Sequence, residues 1–231
     1  SIVRWEYSVD GGTTWQPIAN TNNTQTYSNL TQTTQYRAVL HNGVCSDVNS
    51  TITTITVDAP PVTANAGADD EICSVMTYTL QGNNPAPGAG KWTVVSGPSG
   101  VTFSDDTNPN AIVSGLVPGS VYQFKWTITG AASCPPSSAI VNLTIDKAPV
   151  GGTTSSDATV CVGSNGGQIT LSGQFGTIVR WEYSVDGGTT WQPIANTGTT
   201  QSYFNLAQTT EYRAVLHNSN TCADVTSTVP T

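Results

Sequence analysis

Basic residues are scarce. Seven Lys and Arg stand against 15 Asp and Glu in 231 residues, a net charge of -8 at pH 7. That balance argues against nucleic acid or an anionic membrane surface as a partner, because both are recognised through Lys and Arg. There are two histidines, His41 and His217, too few for a Ser/His/Asp triad or a His-based metal site. The five cysteines include no C-x-x-C pair, so zinc is not indicated. No stretch approaches the roughly 18 apolar residues of a membrane span. Ser1-Ile-Val-Arg-Trp5 has neither the basic start nor the apolar run of a signal peptide, so the native start is expected upstream.

Thr, Ser, Asn, Gly and Pro are abundant instead, and apolar residues come in short stretches broken by turn formers. That is an all-β composition. Val179, Trp181, Tyr183 and Val185 alternate with Arg180, Glu182 and Ser184, and Tyr212, Ala214 and Leu216 with Glu211 and Arg213. Each run predicts a strand with one apolar face, and many such strands with Gly/Pro/Asn turns predict immunoglobulin-like β-sandwiches. The runs Gly115 to Tyr122 and Leu206 to Tyr212 each predict a tyrosine corner, a Tyr hydroxyl tying the crossing loop to a strand.

The chain repeats itself. Residues 1–43 and 177–219 differ at eight of 43 positions, an offset of 176. One insertion near Asn220 makes the offset 177, which places Cys45 on Cys222, Asp47 on Asp224 and Thr54 on Thr231. Between the copies lies a divergent unit with the same layout, since Cys73 to Cys134 and Cys161 to Cys222 both span 61 residues. The expected domains are therefore 1–57, the C-terminal part of one Ig-like repeat; 58–147, a second sandwich; and 148–231, a full Ig-like repeat. Equal spacing predicts the disulfides Cys73–Cys134 and Cys161–Cys222 within single repeats. Cys45 would pair upstream, one period before Cys161. Each loop of about 60 residues would contribute roughly 4 kcal/mol and imply an oxidising compartment.

Tyr7 to Trp15 and Tyr183 to Trp191 both read S-x-D-x-G-x-T-W, the Asp-box pattern. Ser8, Asp10, Gly12 and Trp15, with Ser184, Asp186, Gly188 and Trp191, suit a self-bonded turn better than chemistry. The four arginines are two positions counted twice (Arg4 with Arg180, Arg37 with Arg213), which suits an exposed charge ladder with Glu182 and Glu211, not a sialidase. No catalytic residue is expected. Asp58, Asp69, Asp70, Asp105, Asp106 and Asp146 are either calcium ligands stiffening the junctions of the middle unit or ordinary solvated turn acids. No other cofactor is indicated. Tyr203 and Phe204 either stack on sugars or serve packing.

Ala64-Asn-Ala-Gly-Ala-Asp69, Lys91-Trp-Thr-Val-Val-Ser-Gly-Pro98, Val101-Thr-Phe-Ser104 and Tyr122-Gln-Phe-Lys-Trp-Thr-Ile-Thr129 make the middle unit resemble a PKD domain. Cys161-Val-Gly, Trp181-Glu-Tyr-Ser and Tyr212-Arg-Ala-Val215 make the flanking type similar to Ig-like modules arrayed in very large surface proteins of the Bacteroidota. Alternation of the two kinds resembles the giant gliding-motility adhesins of the SprB type, exported by the type IX system. The resemblance implies a non-catalytic cell-surface shaft, a linear array whose partners are its own neighbouring repeats, with surface or glycan ligands bound elsewhere on the protein. Two rivals are carbohydrate-binding accessory modules of a secreted hydrolase and a surface filament subunit.

Overall fold

The computed structural model describes residues 1–155 and 157–229; Thr231, the last aligned position, lies outside them. It is all strand and turn, as the composition requires. Contacts divide it into two compact units, residues 1–63 with 85–89 and 128–137, and residues 64–84 with 90–127 and 138–231.

The first unit is built on β1 (Ile2–Ser8), β2 (Gln16–Ile18), β3 (Thr34–Leu40), β4 (Val48–Asn49) and β5 (Thr53–Ile55), in the order β2-β1-β3-β4 with β5 also on β3. Val39 and Ala38 are buried, but Trp5 is only partly so, because nothing in residues 1–57 corresponds to the strands that cover its equivalent Trp181.

The second unit holds the body of the middle sandwich and the last repeat. In the middle sandwich β6 (Asp70–Cys73) belongs to one sheet and β7 (Thr77–Thr79) to the other. Then come β8 (Ala89–Ser96), β9 (Thr102–Phe103), β10 (Ile112–Ser114), β11 (Ser120–Thr129) and β12 (Ser137–Asp146). The sheets run β7-β10-β9 and β6-β12-β11-β8. Strand β11 alternates strictly, and its inward Tyr122, Phe124 and Trp126 are fully buried beside Trp92, Leu80, Val113, Leu116 and Leu143. Tyr122 forms the expected corner, its hydroxyl accepting from the Val117 amide at 2.9 Å.

The last repeat contributes β13 (Thr153–Thr154), β14 (Gly166–Ser172), β15 (Thr177–Ser184), β16 (Gln192–Ile194), β17 (Thr200–Phe204), β18 (Glu211–His217) and β19 (Val225–Thr226). Its sheets are β13-β14-β17 and β16-β15-β18-β19, closing over Leu171, Ile178, Trp181, Ala214 and Leu216. Two expectations are corrected here. The register shifts between Ile178 and Arg180, so Ile178 and Trp181 both point inward and Val179 is exposed, while Glu182 and Ser184, on the face away from Trp181, are buried under their own hydrogen-bond partners. Tyr212 makes no corner bond among the described residues, and its ring instead packs between Tyr183 and Tyr203, with centroids 6.5 and 6.3 Å away.

In both full sandwiches the first strand lies parallel to the last. β6 pairs with β12, setting Cys73 opposite Asp146, and Thr153 bridges Thr228.

Candidate functional site

The two Asp boxes are hairpin turns that consume their own polar groups. Gly187 and Gly188 take φ of 68° and 79°, a region open to glycine at no steric cost. Ser184 Oγ accepts from the Gly188 amide and donates to Asp186 Oδ1. Asp186 in turn accepts from the hydroxyl and amide of Thr190, and Trp191 Nε1 donates to the Gly188 carbonyl. Ser8, Asp10, Gly12 and Trp15 repeat these bonds. Nothing in either box is left over to act on a substrate.

The Thr190 hydroxyl and amide, then Ser184, hold Asp186 down to about 2, and Asp10 is lowered by the same partners in its own turn. Both folded values lie below the usual carboxylate value of 3.8. Their stabilising contribution is therefore complete above about pH 4 and is lost as pH falls toward about 2. The expected result is a melting temperature that drops across that window, and a shallower drop when Asp10→Asn and Asp186→Asn are combined. Calorimetry at several acidic pH values checks it.

The arginines form a ladder, but the carboxylate at its centre is buried. Glu182 is 6% exposed, and it accepts from Arg180 Nε at 2.7 Å and Arg213 Nε at 2.8 Å. Burial pushes its carboxyl up, while the bonds and charges of the two arginines outweigh this and leave it below the usual range. Arg213 also lies over the Trp191 ring, 4.0 Å from its centroid. Glu6, Arg4, Arg37 and Trp15 reproduce the arrangement. The sequence hid this because strand parity places Glu182 on the face away from Trp181 but does not show that Arg180 and Arg213 cover it there.

The six aspartates considered for calcium are each engaged separately. Asp69 accepts from the backbone and side-chain amides of Asn142, which lower its pKa. Asp70 accepts from the Tyr78 hydroxyl, Asp105 from Thr107, and Asp106 pairs with Lys91 at 3.2 Å. Asp58 and Asp146 accept from Ser133 and Thr221. Among the described residues no group of three or more acids, histidines or cysteines could hold a metal ion, so the structure does not assemble the calcium set. His217 faces Asp224 at 2.8 Å. Both ring nitrogens of His41 are taken, by Asp47 and the Gly43 carbonyl, leaving none to activate a nucleophile.

What the structure does assemble is a covalent joint. Cys73, at the end of β6, is bonded to Cys222 of the last repeat, with Cα atoms 5.0 Å apart across a sequence separation of 149. This overturns the expected pairs Cys73–Cys134 and Cys161–Cys222, and Cys45, Cys134 and Cys161 are free. The reason is positional. Cys73 lies opposite Asp146, the final residue of its own sandwich, and so faces the next repeat. Around the bond, Asp146 Oδ2 accepts from the Thr221 hydroxyl at 2.5 Å, and the Lys147 carbonyl accepts from Asn218 Nδ2 at 2.7 Å. The Ser219 and Thr221 hydroxyls lower Asp146, whereas Glu71 is raised by its hydrogen bond to Asp146 and by that residue's charge. A disulfide of this kind belongs to an oxidising environment.

A shallow groove of about 560 Å³ also opens on the last repeat between Tyr183, Tyr203, Phe204 and Tyr212, with Phe204 71% exposed.

Comparison with known structures agrees with the architecture. An I-band fragment of titin is 11% identical with a TM-score of 0.53, covering 98% of this chain and 86% of that one. The likeness shows the fold, tandem immunoglobulin-like sandwiches. The solution structure of the PKD domain from KIAA 1837 protein is 26% identical over 40% of this chain and 92% of that one, with a TM-score of 0.33. No curated protein matches. Residues 1–59 and 150–231, the two segments that carry the Asp boxes, match the family model described as Domain of unknown function (DUF8696). These segments make up more than half of the sequence, and the chain belongs to that family.

Proposed function

We propose that these residues are a structural segment of a long extracellular repeat protein, the shaft of a cell-surface adhesin of the gliding-motility kind, and that they do no chemistry. One observation carries this reading: the only disulfide among the described residues joins one repeat to the next. A single-domain binding module gains nothing from such a bond. A chain that must transmit force or hold a fixed spacing gains a joint that cannot slide or dissociate. The closed Asp boxes and the acidic surface fit the same role, since net negative charge keeps neighbouring fibres apart.

The aromatic groove favours a second reading, in which the last repeat is a glycan-binding accessory to a secreted hydrolase. Planar sugars stack on exposed rings of this kind. The size and location of the native polypeptide separate the two. An antibody against residues 58–231 should detect a surface-exposed band of several hundred kDa, as a long array requires. A much smaller secreted band carrying hydrolase activity would overturn the shaft reading.

A further inference from the structure

We propose that Cys134 and Cys161 are the two halves of a second staple that alternates with Cys73–Cys222. In it, the loop cysteine of each PKD-like repeat is bonded to the front cysteine of the Ig-like repeat before it in the same polypeptide. The inference goes beyond the shaft reading, because it concerns which sulfurs meet, whatever the whole protein does.

Two joints in the chain are built alike. In the bonded joint, the turn closed by the Cys222 amide on the Ser219 carbonyl docks on the last residues of the preceding repeat. The Thr221 hydroxyl donates to Asp146, and Cys222 Sγ lies 3.8 Å from the Lys147 carbonyl. Cys73, opposite Asp146, receives that sulfur. In the first unit, the Cys134 amide closes the corresponding turn on the Ala131 carbonyl. The Ser133 hydroxyl donates to Asp58 Oδ2 at 2.5 Å, and Cys134 Sγ lies 3.6 Å from the Asp58 carbonyl. The residue before each cysteine supplies the hydroxyl, and the aspartate that ends the preceding repeat accepts it. Cys134 is thus held where Cys222 is held.

The partial repeat in front of Asp58 holds no front cysteine. Residues 1–57 contain no segment equivalent to 153–176. The full Ig-like repeat supplies that residue type as Cys161, which is exposed and follows β13, the strand whose parallel bridge to Thr228 corresponds to β6 on β12. Cys45, the equivalent of Cys222, then belongs with a cysteine of the Cys73 type and not with one of the Cys161 type. Each staple forms by thiol–disulfide exchange. The Cys134 and Cys161-type thiols lose two protons and two electrons to a disulfide oxidant, small molecule or protein, which leaves as the dithiol.

Peptide mapping of the native polypeptide tests this. Free thiols are blocked with N-ethylmaleimide in denaturant without reduction, and the protein is cut with trypsin. Cleavage after Lys125, Lys147 and Arg180 separates Cys134, on 126–147, from Cys161, on 148–180. The expected result is that these two peptides travel as one disulfide-linked species that separates on reduction, with no blocked cysteine. The monomeric 231-residue chain should carry three blocked thiols, which assigns the native link to successive repeats. Cys134 linked to Cys73, Cys161 linked to Cys222, or either one blocked in the native polypeptide would overturn the proposal. So would a Cys134–Cys161 link within the 231-residue monomer, or a link that holds separate polypeptides together on a non-reducing gel.

Discussion

Replacing Cys73 and Cys222 together by Ala should cost the second unit about 4–5 kcal/mol, the chain-entropy value for a closed loop of this size. It should also split its melting into two transitions. The bond spans 149 residues and two sandwiches. With it intact, neither sandwich can unfold without working against a loop closed by the other, so the two are expected to melt together. Without it, the contacts at the joint include a few hydrogen bonds around Asp146 and Lys147, each contributing about 1 kcal/mol, and Lys147 over the Phe175 ring, 4.1 Å from its centroid. Differential scanning calorimetry with and without reductant gives the same comparison on unmodified protein. A single transition that does not move on reduction would show that the sandwiches are independent and the bond idle. Ala is preferred to Ser because Cys222 is 5% exposed, and a new hydroxyl there would need its own partner.

The second large effect is expected in the core of the middle sandwich, where Trp126→Ala should destabilise by about 3–5 kcal/mol. Trp126 is fully buried against Trp92, with ring centroids 4.9 Å apart. Its six-membered ring fills the space a side chain at Gly90 would need, since a Cβ built there meets that ring. Gly90→Ala is therefore damaging alone, by about 1–3 kcal/mol for an overpacked core. In the Trp126→Ala background it should be nearly harmless or mildly stabilising. Chemical denaturation of the two single variants and the double variant reads this as a coupling of opposite sign to the first loss. Additive costs would mean that the ring and the glycine do not share the space. Trp126 Nε1 is buried with no partner, so Trp126→Phe removes an unpaired donor along with ring area and should cost much less than Trp126→Ala.

The strands, the tyrosine corner at Tyr122 and the Asp-box turns were legible in the sequence because each is set by residues close together in the chain. The disulfide was not, and the reason is general to repeats. A cysteine pair 61 residues apart recurs with the same spacing whether each front cysteine bonds within its own repeat or to the next one. Translation along the array preserves every separation, so the spacing carries no information about which sulfurs meet. Only the parallel register that puts Cys73 opposite Asp146 distinguishes the two arrangements. The buried Glu182 was missed for a different reason. A strict two-residue period puts it on the face away from Trp181 and reads that face as solvent, whereas Arg180 and Arg213 close over the carboxylate there. The acids of the middle sandwich read in one dimension either as calcium ligands or as ordinary turn acids. In three, each is satisfied by a nearby hydroxyl, amide or lysine.

The joint also decides how tension would travel. A pull entering along the backbone reaches Cys73 and crosses directly to Cys222, so the 149-residue stretch between them is bypassed. About 500 Å of contour length then stays hidden even if both sandwiches come apart. If Cys161 is bonded onward and Cys134 backward in the same way, a route through those two has 27 residues of slack in each period, about 95 Å, and the route from Cys45 to Cys73 has 28. Such a molecule behaves as two interleaved covalent cables sharing one polypeptide. Its maximum extension is set by the reduction of sulfur and not by the mechanical strength of any sandwich.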